Sequence, residues 1–145
     1  MTAIVGEGVT LRGIYDADSA ATWNLSGIAS AAAAAAAVSK AMSQDLTVAN
    51  TAELCAHDTV ILGNLLSAEY RVQEGITVGA VCREGFFVWE YTGDDPVLGQ
   101  GVVGGATAGK VAGYMTGSPL AATAIPNNIV VDVDTTAKTV TVLFS

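Results

Sequence analysis

Along residues 58–81, DTVILGNLLSAEYRVQEGITVGAV, apolar positions fall in three short runs separated by glycine and polar residues, a pattern that predicts strands rather than helices. Thr59–Leu62 is a continuous apolar run headed by a β-branched threonine and bounded by His57-Asp58 and Gly63-Asn64, so a buried strand is expected there. Beyond Glu69 the pattern changes to alternation. Tyr70 and Val72 share one face and Arg71 and Gln73 the other, and Glu74-Gly75 supplies a turn into Ile76, Val78 and Ala80. The expectation is a hairpin with one wet face.

The same reading extends to both ends of the chain. Phe87, Trp89 and Tyr91 alternate with Phe86, Val88 and Glu90, and the turn signal Thr92-Gly93-Asp94-Asp95-Pro96 follows. Large apolar groups on both faces predict a strand covered on both sides. Ile129, Val131 and Val133 are expected to pair with Val140, Val142 and Phe144 across a turn at Asp134–Ala137. Residues 98–116 are glycine-rich and suit tight connections between strands. Residues 1–26 hold a strand-like piece, Val9–Ile14, then a polar loop with Asp16, Asp18 and Ser19, then Trp23. Residues 1–19 therefore read as an arm or edge strand, and residues 20–145 as the core of a single domain.

One segment stands apart from the β pattern. The seven alanines Ala31–Ala37 within Ile28–Val38 have the highest helix propensity of any residue, which predicts a short helix docked through small side chains. The alternative is a disordered or strand-forming linker, with Lys40-Ala41-Met42 already in the next strand. No internal repeat is visible. The fold expected is mainly β, a small compact sandwich or barrel-like domain with one short Ala-rich helix and an N-terminal arm.

Composition narrows the function classes. Charged residues make up only 14% of the chain against 51% hydrophobic, so the surface must be built largely from small and neutral polar side chains, which suits contact with other subunits. The net charge of −8, with six Lys and Arg spread singly, argues against nucleic-acid binding, which needs a concentrated basic patch. The Ile28–Val38 run is far shorter than the ~20 apolar residues of a membrane-spanning helix. Met1–Val5 does not resemble an export signal, and synthesis in the cytoplasm is expected. Cys55 and Cys82 form no CxxC pair and are expected as buried free thiols.

The motifs that suggest chemistry are each explained more simply by structure. Gly99–Gly104 satisfies the dinucleotide string GxGxxG, but two more glycines follow at Gly105 and Gly109 where that site needs a helix. Gly104–Lys110 matches the first seven positions of a phosphate-binding loop, yet Val111 stands where a magnesium-binding hydroxyl belongs and a strand is expected from there on. His57 is the only histidine, and Asp58 beside it would point to the opposite face of an extended chain. The acidic pairs Asp16/Asp18, Asp94/Asp95 and Asp132/Asp134 lack the spacing of a calcium loop and read as solvated edges and turns. No catalytic set, metal site or cofactor is expected.

A family resemblance gives this architecture a role. Trp23-Asn24-Leu25-Ser26-Gly27, Ala49-Asn50-Thr51, Val60-Ile61-Leu62-Gly63, the block Tyr70–Gly79, Gly101-Val102-Val103-Gly104 and Ala124–Val131 together resemble the capsid decoration, or cement, proteins of tailed bacteriophages. The resemblance covers most of residues 20–145, and the seven-alanine run departs from it. It implies a non-enzymatic virion protein that binds the major capsid protein on the outside of the expanded shell, often as a trimer, and stabilises the shell against internal DNA pressure. A monomer fits the sequence equally well. The implied capsid or subunit interface comprises Ile4, Val5, Val9 and Leu11 in the arm, together with Trp23, Phe86 and Trp89, and the arm Thr2–Ile14 would add to a capsid strand. Three other readings stay open. One is a small-ligand or carbohydrate module using the aromatic strand and Trp23 or Trp89, another is a different virion component such as a tail protein, and the weakest is an enzyme working through His57 or Lys110.

Overall fold

The computed structural model describes residues 20–113 and 128–144. Their centre is a closed five-stranded barrel built from β1 (Ala20–Leu25), β2 (Ala41–Gln44), β3 (Thr51–Leu54), β4 (Gly63–Arg71) and β5 (Ile76–Cys82), in the spatial order β1-β3-β2-β4-β5. Closure comes from β1, which runs antiparallel to β5 over its whole length and parallel to β3 at Asn24 and Leu25. A three-stranded sheet of β6 (Gly85–Glu90), β9 (Asn128–Asp134) and β10 (Thr139–Phe144), ordered β6-β10-β9, packs beside the barrel. The short hairpin of β7 (Val102–Gly104) and β8 (Val111–Gly113) joins this sheet through a bridge between Tyr91 and Val111.

The wall formed by β4 and β5 serves two cores because neighbouring residues on a strand point to opposite faces. Leu65 and Val81 point into the barrel with Leu25, Met42 and Ala52. Leu66 and Cys82 belong to the second core, with Phe87, Trp89, Val140, Val142 and Phe144. In that core Phe87 and Trp89 stack with centroids 5.6 Å apart, and Phe144 meets Trp89 edge-on at 6.4 Å.

Ala31–Ala37 is the helix α1, as its propensity predicts. Ser30 caps it, with Oγ accepting from Ala33 N–H at 3.0 Å, and Ala34 and Ala37 turn their methyl groups inward against the barrel core. Alanine suits this position because it lets a one-sided helix approach β4 closely. Ser39 then adopts a left-handed backbone (φ 69°), its N–H donates to Leu65 O, and the chain enters β2.

Both expected hairpins form, but their buried faces differ from the alternation read in the sequence. In β5 the inward residues are Thr77, Gly79 and Val81, whereas Ile76 is 42% exposed. Barrel curvature favours small groups inside at this point, and a Cβ on Gly79 would meet Ser67 O and Leu25 Cδ1 within 3 Å. In β9 a bulge opposite Thr141/Val142 changes the phase, so that Val130 rather than Ile129 or Val131 is buried, while Val133 still packs on the core.

Thr59–Leu62 is a further correction, since it is not a strand. Ile61 is buried as expected, but the segment is irregular and β4 begins at Gly63, one of the residues expected to bound that strand. Its backbone groups bond to scattered partners, Thr59 N–H to Ala56 O, Thr59 O to Gly104 N–H and Leu62 N–H to Met42 O. β6 follows its predicted alternation, with Phe87, Trp89 and Tyr91 at 2–4% exposure, although Phe86 and Val88 on its second face are only half-buried. The expected strand Val9–Ile14 and the pair Asp16/Asp18 lie outside the described residues, as does the first half of the Ala124–Val131 motif.

Candidate functional site

A cleft of about 790 Å³ opens where β2 and the chain leading into β4 diverge. These two segments are zipped at Ala41↔Asn64 and Met42↔Gly63, and Leu62 N–H still donates to Met42 O at 2.7 Å. Beyond that point they separate. Ser43–Thr47 forms one wall and Asp58–Leu62 the other, with Glu53 and Arg83 also on the lining.

A carboxylate shapes the first wall. Asp45 accepts from Thr47 N–H at 2.8 Å, from Thr47 Oγ1 at 2.6 Å and from Ser26 Oγ at 2.8 Å, while its own N–H donates to Thr51 O. The bonds from Thr47, reinforced by Ser26, hold the carboxyl below its ordinary pKa against a smaller opposing effect of burial. Asp45 is thus an ionised brace that ties the loop to the end of β1. The braced loop carries Leu46 outward at 87% exposure and Val48 at 52%.

The second wall depends on a threonine and a glycine. Thr59 Oγ1 donates its single proton to Ala56 O at 2.7 Å and accepts from Ala56 N–H at 3.1 Å. The 2.8 Å contact with Ser43 Oγ therefore has Ser43 as donor, which latches the walls together at the base of the cleft. Asp58 takes a left-handed backbone (φ 60°), and its N–H donates to Gly104 O. Gly104 lies so close that an added Cβ would sit 1.8 Å from Ala56 O. Val60, 43% exposed, faces outward from this wall, and buried Ile61 forms part of the lining.

None of the residues expected at the capsid or subunit interface builds this cleft, whereas the Thr59–Leu62 run expected as a buried strand forms most of its second wall. Trp89 is a core residue at 2% exposure whose indole N–H donates to Asn64 Oδ1 at 2.9 Å. Trp23 and Phe86 are half-buried, with Trp23 packed on the barrel core. Ile4, Val5, Val9 and Leu11 lie outside the described residues. The Ser43–Thr47 wall carries no motif singled out in the sequence, because the cleft arises from strand divergence and loop bracing. The one available signal was the Asp45-x-Thr47 spacing, which suits a side-chain-braced turn.

The remaining sequence features have structural positions. His57 is exposed in a turn, and Lys110 pairs with Glu90 at 2.9 Å. Gly99 turns the chain at φ 85° ahead of β7, and Gly104–Lys110 connects β7 to β8, so a strand follows where a nucleotide site would need a helix. Asp95 accepts from Tyr91 Oη–H at 2.6 Å, and Asp134 accepts from Thr136 and Ala137 N–H in the β9–β10 turn. Cys55 and Cys82 are buried thiols outside any disulfide, and burial pushes the Cys55 thiol up to about 11. Among the described residues no cluster of three or more His, Cys, Asp or Glu could hold a metal ion, and no helix is long and apolar enough to cross a membrane. No family model, curated protein or solved structure matches the chain.

Proposed function

We propose that this chain is a non-enzymatic structural protein of a tailed-phage virion that binds the outer surface of the expanded capsid and stabilises it. The observation that carries this reading is the apolar rim of the cleft. Leu46 and Val60 on the cleft, with Val48 beside it on the same loop, are held toward solvent by a loop braced at Asp45 and a wall latched at Thr59, an arrangement suited to docking on another protein. The family resemblance supplies the partner, the major capsid protein. The carboxylate of Asp45 and the hydroxyl of Thr47 are already engaged in bracing, which favours a contact surface over a reactive one.

Co-sedimentation with expanded, undecorated heads of the encoding phage, with unexpanded proheads as control, tests this reading. Saturable binding to expanded heads alone is the expected result, and no binding to either particle would overturn it. A ligand-binding β module is the second reading, because the cleft volume falls in the small-ligand range. It would have to use the cleft itself, since Trp89 is buried in the core.

A further inference from the structure

Among the described residues, the edge of β2 at the cleft has an unmet hydrogen-bonding capacity. Cys55 N–H donates to Ala41 O and Asp45 N–H donates to Thr51 O, so Ala41, Ser43 and Asp45 turn their backbone groups toward β3. Met42 and Gln44 must then turn theirs the other way. Met42 O is taken by Leu62 N–H. Gln44, the next position, has neither its N–H nor its C=O bonded within the described residues, and the same holds for the backbone of Val60 on the opposite wall. A donor and an acceptor on one edge, spaced as on a strand and facing a cleft with apolar side chains on its rim, match the chemistry of one ligand class in particular. That ligand is an extended polypeptide, which brings its own N–H and C=O in register and places alternate side chains on the walls.

We propose that the cleft accepts an extended strand of the capsid protein, added to the free edge of β2 at Gln44 and flanked by Leu46 and Val60. This proposal rests on the shell-binding reading for the identity of the strand, although the acceptor edge itself does not. The wall Ser43–Thr47 offers room for about four or five residues at ~3.3 Å each. The contact is short, so side-chain burial on the apolar rim must supply much of the binding, with the backbone bonds setting register.

Gln44→Pro is the informative variant. It removes only the N–H that faces the cleft and leaves the β2–β3 bonds intact, a position where proline is tolerated on an edge strand. A far-ultraviolet circular dichroism spectrum and thermal midpoint close to wild type establish that the barrel persists. With full-length protein, Gln44→Pro should weaken binding to expanded heads by up to about tenfold, the upper end of the effect of losing one backbone bond. In parallel, the labelled wild-type protein is titrated with the peptide acetyl-Thr-Val-Thr-Val-Thr-amide and with its backbone N-methylated counterpart, and the Gln44 and Val60 amide resonances are followed. The plain peptide should shift both saturably, and the N-methylated one should not.

Wild-type and Gln44→Pro protein binding heads equally, or the two peptides acting alike, would overturn the proposal while leaving the shell-binding reading standing. Failure of the wild type to bind heads, with the plain peptide still docking at Gln44, would instead remove the shell-binding reading and leave the strand-accepting edge. Sedimentation equilibrium gives the remaining outcome, in which self-association lost in Gln44→Pro assigns the cleft to a second copy and contradicts the capsid strand.

Discussion

The indole N–H of Trp89 donates to Asn64 Oδ1 at 2.9 Å, and this buried bond ties the three-stranded sheet to the outer face of the barrel wall. Trp89→Phe keeps an aromatic ring in the second core but leaves the Asn64 oxygen without its donor. Such a loss costs about 1–3 kcal/mol, in addition to the smaller ring's lost contacts. Urea denaturation should show the lower midpoint with an unchanged slope. A midpoint equal to wild type would mean that the two units are not coupled through this pair.

Gly104 and Gly75 offer a matched comparison of two reasons for glycine. An alanine Cβ at Gly104 would overlap Ala56 O at 1.8 Å and Thr59 Oγ1 at 2.5 Å, so Gly104→Ala must displace the second wall of the cleft. Gly75 in the β4–β5 turn has φ 69° and open space around it. Gly75→Ala should therefore cost only the left-handed backbone penalty, about 1–2 kcal/mol, and Gly104→Ala clearly more. Thermal denaturation of the two variants gives the order, and equal losses would contradict the close packing at Gly104.

Asp45 should make stability fall at low pH. Its folded pKa lies below the ordinary carboxyl value of 3.8, so its contribution is complete above that value and is lost as pH falls through the lower folded one. The stability difference between wild type and Asp45→Asn should be largest near neutral pH and shrink below about pH 4. Unfolding curves from pH 7 to 2.5 check this. A difference that stays constant with pH would show that the carboxylate charge does not brace the loop.

Cys55 should be unreactive in the folded protein. It has 0% exposure, its Sγ–H donates to Lys110 O at 3.2 Å, and burial raises its pKa to about 11, so little thiolate exists at pH 8. Titration with an aromatic disulfide reagent at pH 8 should leave Cys55 unmodified until denaturant is added. Rapid native labelling at this residue would place it nearer the surface.

Much of the fold was legible in the sequence because it rests on local rules. The Ala31–Ala37 helix followed from propensity, the hairpins from turn residues, and the Phe87/Trp89/Tyr91 face from period-two alternation. What stayed hidden depends on contacts between distant residues. The Thr141/Val142 bulge shifts which β9 residues are buried, and the barrel requires Gly79 and Thr77 inside where Ile76 and Val78 look like the apolar set. Thr59–Leu62 has strand composition but diverges from β2 because Gly104 and Ala56 capture its backbone. The cleft arises from that divergence, so no motif marks it, and the aromatic residues that attract attention in the sequence are occupied in packing.

The apolar rim is the centre of the account, and Leu46 is its most exposed member. The most direct test titrates expanded heads with wild type and with Leu46→Asp, which places a charge on the rim without touching either core. Wild type should saturate at a fixed copy number per shell while Leu46→Asp binds at least about tenfold more weakly, because a charge would be buried against an apolar surface. Equal saturation by the two proteins would contradict the assignment of this rim as the docking surface.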